Sequence, residues 1–261
     1  MNTLTTPTTL LIDIGNTRIK WHFDNNATPL LADTVATALS HHDPQWLNAL
    51  KKIWQNQTTP TQCRISSVAS ADVLSHVQQL IRTLYPDCTP HMIQATSQHN
   101  GFKLAYPNPA QMGSDRYAQL LGAQMLCTEQ QHIVLSAGTA TTIDGVLADG
   151  RHIGGVILPS MQLMRQSLHQ YTAKLPLTDG EFQATHAPTN TIDALASAAT
   201  LASLGTLNEF ISRYMPSDDV TLILCGGNAS ALSPHIRHAQ IKTVLVAPSL
   251  CLLGLKFWVT N

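Results

Sequence analysis

The chain has 261 residues, a formal net charge of −1, 44% hydrophobic residues and only 12% charged ones. That length holds one large domain or two moderate ones with sizeable cores. The lightly charged, nearly neutral composition argues against a nucleic-acid-binding face and against a basic membrane patch. Twelve histidines occur without HxxxH or HxH spacing, so they are expected as scattered surface and loop residues rather than as a metal site. Five cysteines (63, 88, 127, 225 and 251) are widely spaced and never form CxxC. Buried free thiols in a reducing cytoplasm account for them. The opening MNTLTTPTTL has neither a basic nor an apolar targeting region, so no signal peptide is expected. The C-terminal SLCLLGLKFWV is too short to span a membrane and carries Lys256. The expectation is a soluble cytoplasmic protein.

Residues 9–16 read as a buried strand and 17–23 as a half-buried one, in which Ile19, Trp21 and Phe23 alternate with Arg18, Lys20 and His22. The two form a hairpin around Gly15-Asn16. A helix is predicted from Asp43-Pro44, a cap-and-N1 pair, with Trp46, Leu47, Leu50, Ile53 and Trp54 on one face. A strand at 63–69 precedes a helix carrying Val73, Leu74, Val77, Leu80, Ile81 and Leu84 at helical spacing. A strand at 90–95 and a polar loop at 97–113 lead to a helix from Ser114 to Cys127. The opening pattern then returns: QHIVLSAGTATTIDGVL (131–147) is again strand, Gly-containing turn, strand. HIGGVIL is a third strand. A helix from Pro159 to His169, a polar stretch to Pro188 and an Ala-rich helix over 191–213 follow. VTLILCGGN runs from strand into a Gly-Gly turn and a short helix; a last strand and an apolar helix close the chain. Each half thus opens on hairpins and continues in α/β alternation, which suggests an internal duplication of about 120 residues per half.

Asp13-x-Gly15-Asn16-Thr17 is the first stretch with chemistry in it. Gly15 permits a tight turn and close backbone approach by a ligand. Asn16 and Thr17 offer donors suited to phosphate oxygens. A carboxylate repels phosphate unless a cation lies between, so Asp13 reads as a magnesium anchor acting through water. Lys20 on the next strand can meet remaining phosphate charge. The plainer alternative is a hairpin turn with a solvent-facing Asp. Ala137-Gly138-Thr139-Ala140-Thr141-Thr142 is a second Gly-plus-hydroxyl turn, the alternative being a Thr-rich hairpin. Gly226-Gly227-Asn228 lets backbone approach a base or ribose, or is an ordinary strand–helix turn. In Gly113-Ser114-Asp115-Arg116, Asp115 either stabilises a helix dipole or accepts a hydroxyl proton. Arg116 is either a surface charge or a bidentate carboxylate ligand.

The set DIGNT, GSDR, AGTATTID, GGVILP and LCGGNA, in this order, resembles type III pantothenate kinase, within the acetate and sugar kinase/Hsc70/actin superfamily. GSDR followed by GTATTID is the specific part, and the resemblance covers nearly the whole chain. It implies an α/β fold of two similar actin-like, ribonuclease H-like domains, each a mixed β-sheet flanked by helices, with nucleotide in the cleft between them. The division is expected at 1–115 and 116–261, the second part holding the second phosphate turn and an adenosine-side Gly-Gly turn. The implied reaction is transfer of phosphate from ATP to pantothenate, the first step toward coenzyme A, by a cytoplasmic homodimer with Mg²⁺. The resemblance assigns ATP phosphates to Asp13, Ile14, Gly15, Asn16, Thr17, Arg18, Ile19 and Lys20, and to Gly138 and Thr139. It makes Asp115 the catalytic base, and gives pantothenate to Tyr106, Gly113, Ser114, Asp115, Arg116 and Thr191. Tyr106 has a second reading as a loop anchor, and Thr191 as a helix cap.

One departure bears on chemistry. In many members the second phosphate motif begins with an Asp that binds K⁺ or NH₄⁺; here that position is Ser136, and exchanging carboxylate for hydroxyl removes a full charge. Other readings are a sugar or acyl-phosphate kinase of the same superfamily and a regulatory protein that binds nucleotide without turnover. Next to Arg116 at a helix N-terminus, Asp115 is expected to have a depressed pKa.

Overall fold

A computed structural model describes residues 7–177 and 180–258. The start of the segment expected not to be a signal peptide, residues 1–6, lies outside them. The elements are β1 (Thr9–Ile14), β2 (Arg18–Asp24), β3 (Thr37–Ser40), α1 (Trp46–Trp54), β4 (Gln62–Ser67), α2 (Ala71–Leu84), β5 (Pro90–Met92), β6 (Gln98–His99), β7 (Phe102–Lys103) and α3 (Ser114–Leu126). They continue as β8 (His132–Ala137), β9 (Ala140–Val146), β10 (His152–Pro159), α4 (Met161–Tyr171), α5 (Thr191–Tyr214), β11 (Val220–Cys225), α6 (Ala229–Leu232), β12 (Ile241–Val246) and α7 (Leu250–Phe257).

Two compact units result: Met1–Thr128 together with Ala247–Asn261, and Glu129–Val246. This differs from the expected division at 115/116, which cuts α3 within its first turn. It also moves α7 into the first unit. The reason is apolarity: Leu250 through Leu255 are all buried, and a helix apolar all round must be covered on every side. α7 packs on α3, β1 and β4.

The first unit's main sheet runs β3-β2-β1-β4-β5 and the second's β10-β9-β8-β11-β12. In both, the first three strands are antiparallel and the last two join in parallel. The antiparallel pair β1–β2 needs only a tight turn, whereas the parallel steps β4–β5 and β11–β12 need crossovers, here α2 and α6. The two units share one strand order. In the first unit Leu10, Ile12 and Ile14 of β1 and Ile19 and Trp21 of β2 build one core with Leu50, Trp54, Val77 and Ile81. Strand alternation therefore turns Asp13 and Lys20 to the opposite face. In the second unit Ile133, Leu135 and Ile143 pack with Leu207, Ile211, Leu222 and Leu224.

Local differences have local causes. β3 (TALS) is an edge strand, largely exposed, with no apolar alternation to announce it. The polar loop at 97–113 contains the β6–β7 hairpin, turned by Asn100 and Gly101, both at positive φ. α1 starts at Trp46, after an Asp43 side chain that accepts from the Gln45 N–H at 2.8 Å. All five cysteines are buried and free of disulfides. No helix among the described residues is long and apolar enough to cross a membrane.

Candidate active site

The turn joining β1 to β2 is closed by the Gly15 N–H donating to the Arg18 carbonyl at 2.9 Å. Register places Asp13 opposite Lys20, with Nζ 3.8 Å from Oδ2. Asp13 is only 7% exposed, so the solvent-facing alternative does not hold. Burial pushes its carboxyl above the usual range, and the neighbouring Asp115 charge adds to this. Lys20 and a hydrogen bond with the Cys251 thiol pull the other way. Ser66 in turn hydrogen-bonds that thiol, which burial keeps far from ionisation.

Gly113 ends the loop before α3 without a side-chain cap. Ser114 Oγ donates to the Ser67 carbonyl at 3.0 Å and accepts from the Ser67 N–H at 3.1 Å. It also meets Ser66 Oγ at 3.1 Å. A hydroxyl has one donor and two acceptor positions, so this side chain is fully used in fastening α3 to the end of β4. Asp115 is half-buried, and its Oδ1 accepts from the Arg116 N–H at 2.7 Å. Its pKa is raised, not depressed. Desolvation outweighs the backbone hydrogen bonds and the Arg116 and Lys20 charges that favour the anion. The helix terminus and Arg116 are legible in the sequence, whereas burial is set by residues distant in the chain. Arg116 is 7% exposed. Its Nη1 donates to the Tyr106 hydroxyl at 3.0 Å and its guanidinium lies 5.8 Å from the Tyr106 ring centre. The first unit therefore gathers Asp13, Lys20, Asp115, Arg116 and Tyr106, although Tyr106 is far from Asp13 in sequence.

In the second unit Gly138 N–H donates to the Ala140 carbonyl at 3.0 Å, and Thr139 is exposed at the turn's tip. Ser136, 9% exposed, is flanked in register by Thr142 and Cys225. Gly226 sits at φ 87°, and a Cβ there would lie 2.5 Å from the Ala137 carbonyl. Asn228 N–H donates to that carbonyl at 2.9 Å. Only glycine allows this contact, which seats the Gly-Gly turn against the start of the second phosphate turn. Thr191 is the exposed first residue of α5. It is not the cap: Asn190 Oδ1 accepts from the Asp193 N–H at 2.9 Å. Ser66, Cys251 and His41 belong to no local motif. They reach the first unit's site from elements remote in the chain.

Two five-stranded mixed sheets of matching strand order, each with a glycine turn after its first strand, make up an actin-like α/β fold. A Sinorhizobium meliloti protein proposed to be a 2-dehydro-3-deoxygalactonokinase superposes with TM-score 0.59 at 15% identity, covering 96% of this chain and 97% of that one. A Listeria monocytogenes protein proposed to be an N-acetylmannosamine kinase gives 0.53 at 13%, covering 95% and 97%. At that identity they show the fold alone. The sequence comparisons go further. The family model of type III pantothenate kinase matches residues 9–213. The type III pantothenate kinase of Azoarcus sp. (strain BH72) is 36% identical over 255 residues, covering 94% of this chain and 88% of that protein. The chain belongs to the type III pantothenate kinase family.

Proposed function

We propose that the chain transfers the terminal phosphoryl group of ATP to the primary hydroxyl of pantothenate, giving 4'-phosphopantothenate at the start of coenzyme A biosynthesis. Family membership supports the reaction. The structural observation that carries it is Asp115 and Arg116 at the start of α3, electrostatically linked to Asp13 and Lys20 at the phosphate turn.

The residue roles rest on family membership. The turn from Asp13 to Lys20 holds phosphate oxygens with backbone N–H groups and the Lys20 charge. Gly138 and Thr139 bind phosphate from the second unit. Among the described residues no group of three or more His, Cys, Asp or Glu side chains stands ready to hold a metal. A buried carboxylate such as Asp13 suits Mg²⁺ that keeps water and phosphate oxygens as its other ligands. Held there, Mg²⁺ would supply charge neutralisation on the phosphates. Asp115 orients the substrate hydroxyl and takes its proton; a raised pKa makes it a better base than an ordinary carboxylate while keeping it an acceptor. The transition state is loose, so positioning contributes more than base strength. Arg116 binds the pantothenate carboxylate, with its Nη1 anchored on the Tyr106 hydroxyl. Gly113 and the Ser114 backbone shape the same pocket wall, and Thr191 contacts substrate from α5. The working form is a cytoplasmic homodimer.

Arg116→Lys exchanges a planar fork for a point charge. The expected result is a roughly tenfold rise in KM for pantothenate with kcat falling less; an unchanged KM removes Arg116 from that pairing.

An ADP-release assay with MgATP and pantothenate tests the reaction. Turnover that requires pantothenate supports it; nucleotide binding without such turnover overturns it. Run in sodium, potassium and ammonium in turn, the same assay reads Ser136. Without a carboxylate at that position we expect rates within about twofold across the three salts, since a hydroxyl supplies no charge to hold a monovalent cation. A large potassium or ammonium stimulation would show that other groups hold the ion.

A further inference from the structure

We propose that His41 is a positioning residue for the nucleotide, acting through the backbone of the first phosphate turn; this rests on the reading that the turn binds ATP phosphates. His41 follows β3 directly, and its Nε2 lies 2.8 Å from the carbonyl oxygen of Gly15. A carbonyl only accepts, so Nε2 carries the proton and donates. The adjacent Ser40 hydroxyl is directed at the Thr17 carbonyl at 3.4 Å. Both bonds pull turn carbonyls toward β3, whose register with β2 pairs Ser40 with Arg18.

The consequence follows from peptide geometry. In a planar trans peptide the C=O and the N–H of the next residue point in opposite directions. Holding the Gly15 carbonyl against His41 therefore aims the Asn16 N–H away from β3. A phosphate-binding turn works by presenting such N–H groups in one fixed direction. That peptide plane turns on Gly15 ψ and Asn16 φ, and glycine and asparagine are the residues whose backbones are least restricted, so more than one orientation is accessible. His41 selects one of them before ligand arrives. The ring itself is held by Trp46, edge-on at 6.2 Å between centres, and by His42 at 5.0 Å. The donor is thus fixed by packing and does not hang free from the loop.

The test is steady-state kinetics on His41→Ala, His41→Phe and His41→Gln, with Lys20→Ala as reference and thermal unfolding of each. His41→Phe keeps a ring for Trp46 but has no donor; Gln places an amide N–H near the position of Nε2. We expect KM for MgATP to rise about five- to tenfold in the Ala and Phe variants, the size of one lost hydrogen bond. KM for pantothenate should change less than about twofold, and Gln should restore most of the loss. Normal MgATP KM in Ala and Phe, with a raised value in Lys20→Ala, overturns the role of His41 and keeps the phosphate turn. A normal value in all three, Lys20→Ala included, overturns the phosphate turn and His41 with it. A defect in Ala that Phe repairs makes the ring packing, not the hydrogen bond, the cause, and also overturns the proposal.

Discussion

Asp115→Asn should lower turnover by roughly 10²–10⁴-fold while KM for MgATP stays within about threefold. Asn keeps the shape and can still accept from the Arg116 N–H, but it cannot take a proton from the substrate hydroxyl. Folding should not suffer. The Asp115 pKa is raised in the folded protein by burial. A carboxyl of this kind binds its proton more tightly folded than unfolded. Its contribution to stability is therefore complete below the unfolded value of about 3.9 and is lost as pH rises through the folded one. Above that folded value the ionised carboxylate costs stability, and Asn removes that cost. The thermal midpoint of Asp115→Asn at pH 7 is expected to equal or exceed the parent's. Stability retained alongside lost turnover separates a chemical role from a structural one; a loss under tenfold with the fold intact removes Asp115 from the role of base. The pH profile adds a check. The acid limb of kcat/KM should lie above the ordinary carboxylate range. In the Asn variant any remaining limb reports Asp13 and should move to lower pH, because a like charge has gone.

What the sequence disclosed, and what it did not, divides along physical lines. β1 and β8 are legible because central strands covered on both faces read as continuous apolar runs, LLIDI and HIVLSA. The helices with one apolar stripe, α1 and α2, are legible by spacing, although α1 begins later than Asp43 suggests. β3 is not legible: an exposed edge strand of four residues owes its form to its neighbour, not to its own pattern. The same limit applies to the site. Asp13, Gly15, Asp115 and Arg116 stand out as short local motifs, and the resemblance gathers them. Burial is not local. It decides that Asp115 titrates above the usual range, that Arg116 is enclosed with Tyr106, and that Ser114 spends its hydroxyl on β4. The domain division fails to show for a related reason. α7 follows the second unit in sequence, but an all-apolar helix goes wherever a covered face exists, and that face belongs to α3, β1 and β4.

The α3–α7 crossing carries the second large effect. A Cβ at Gly254 would coincide with the Ala118 carbonyl. At the same crossing, a Cβ on Gly122 would lie 2.6 Å from the Leu250 carbonyl. The nearest atoms on both sides are backbone, and backbone cannot rotate aside as a flexible side chain can. Gly254→Ala should therefore cost about 3 kcal/mol or more, at the upper end for overpacking, and lower the thermal midpoint by roughly 10 °C. The loss should reach the chemistry as well. α3 starts with Asp115 and Arg116, and α7 sets Cys251 against Asp13; forcing the helices apart by about 1 Å misplaces both and should reduce kcat on the order of 100-fold. Leu255→Ala is the contrasting variant. Leu255 is fully buried, and its truncation leaves a cavity costing about 2–5 kcal/mol without prying α7 from α3. Comparable destabilisation with turnover lost in Gly254→Ala and largely kept in Leu255→Ala would tie activity to the helix spacing. A Gly254→Ala protein as stable and active as the parent would mean the helices do not cross this closely.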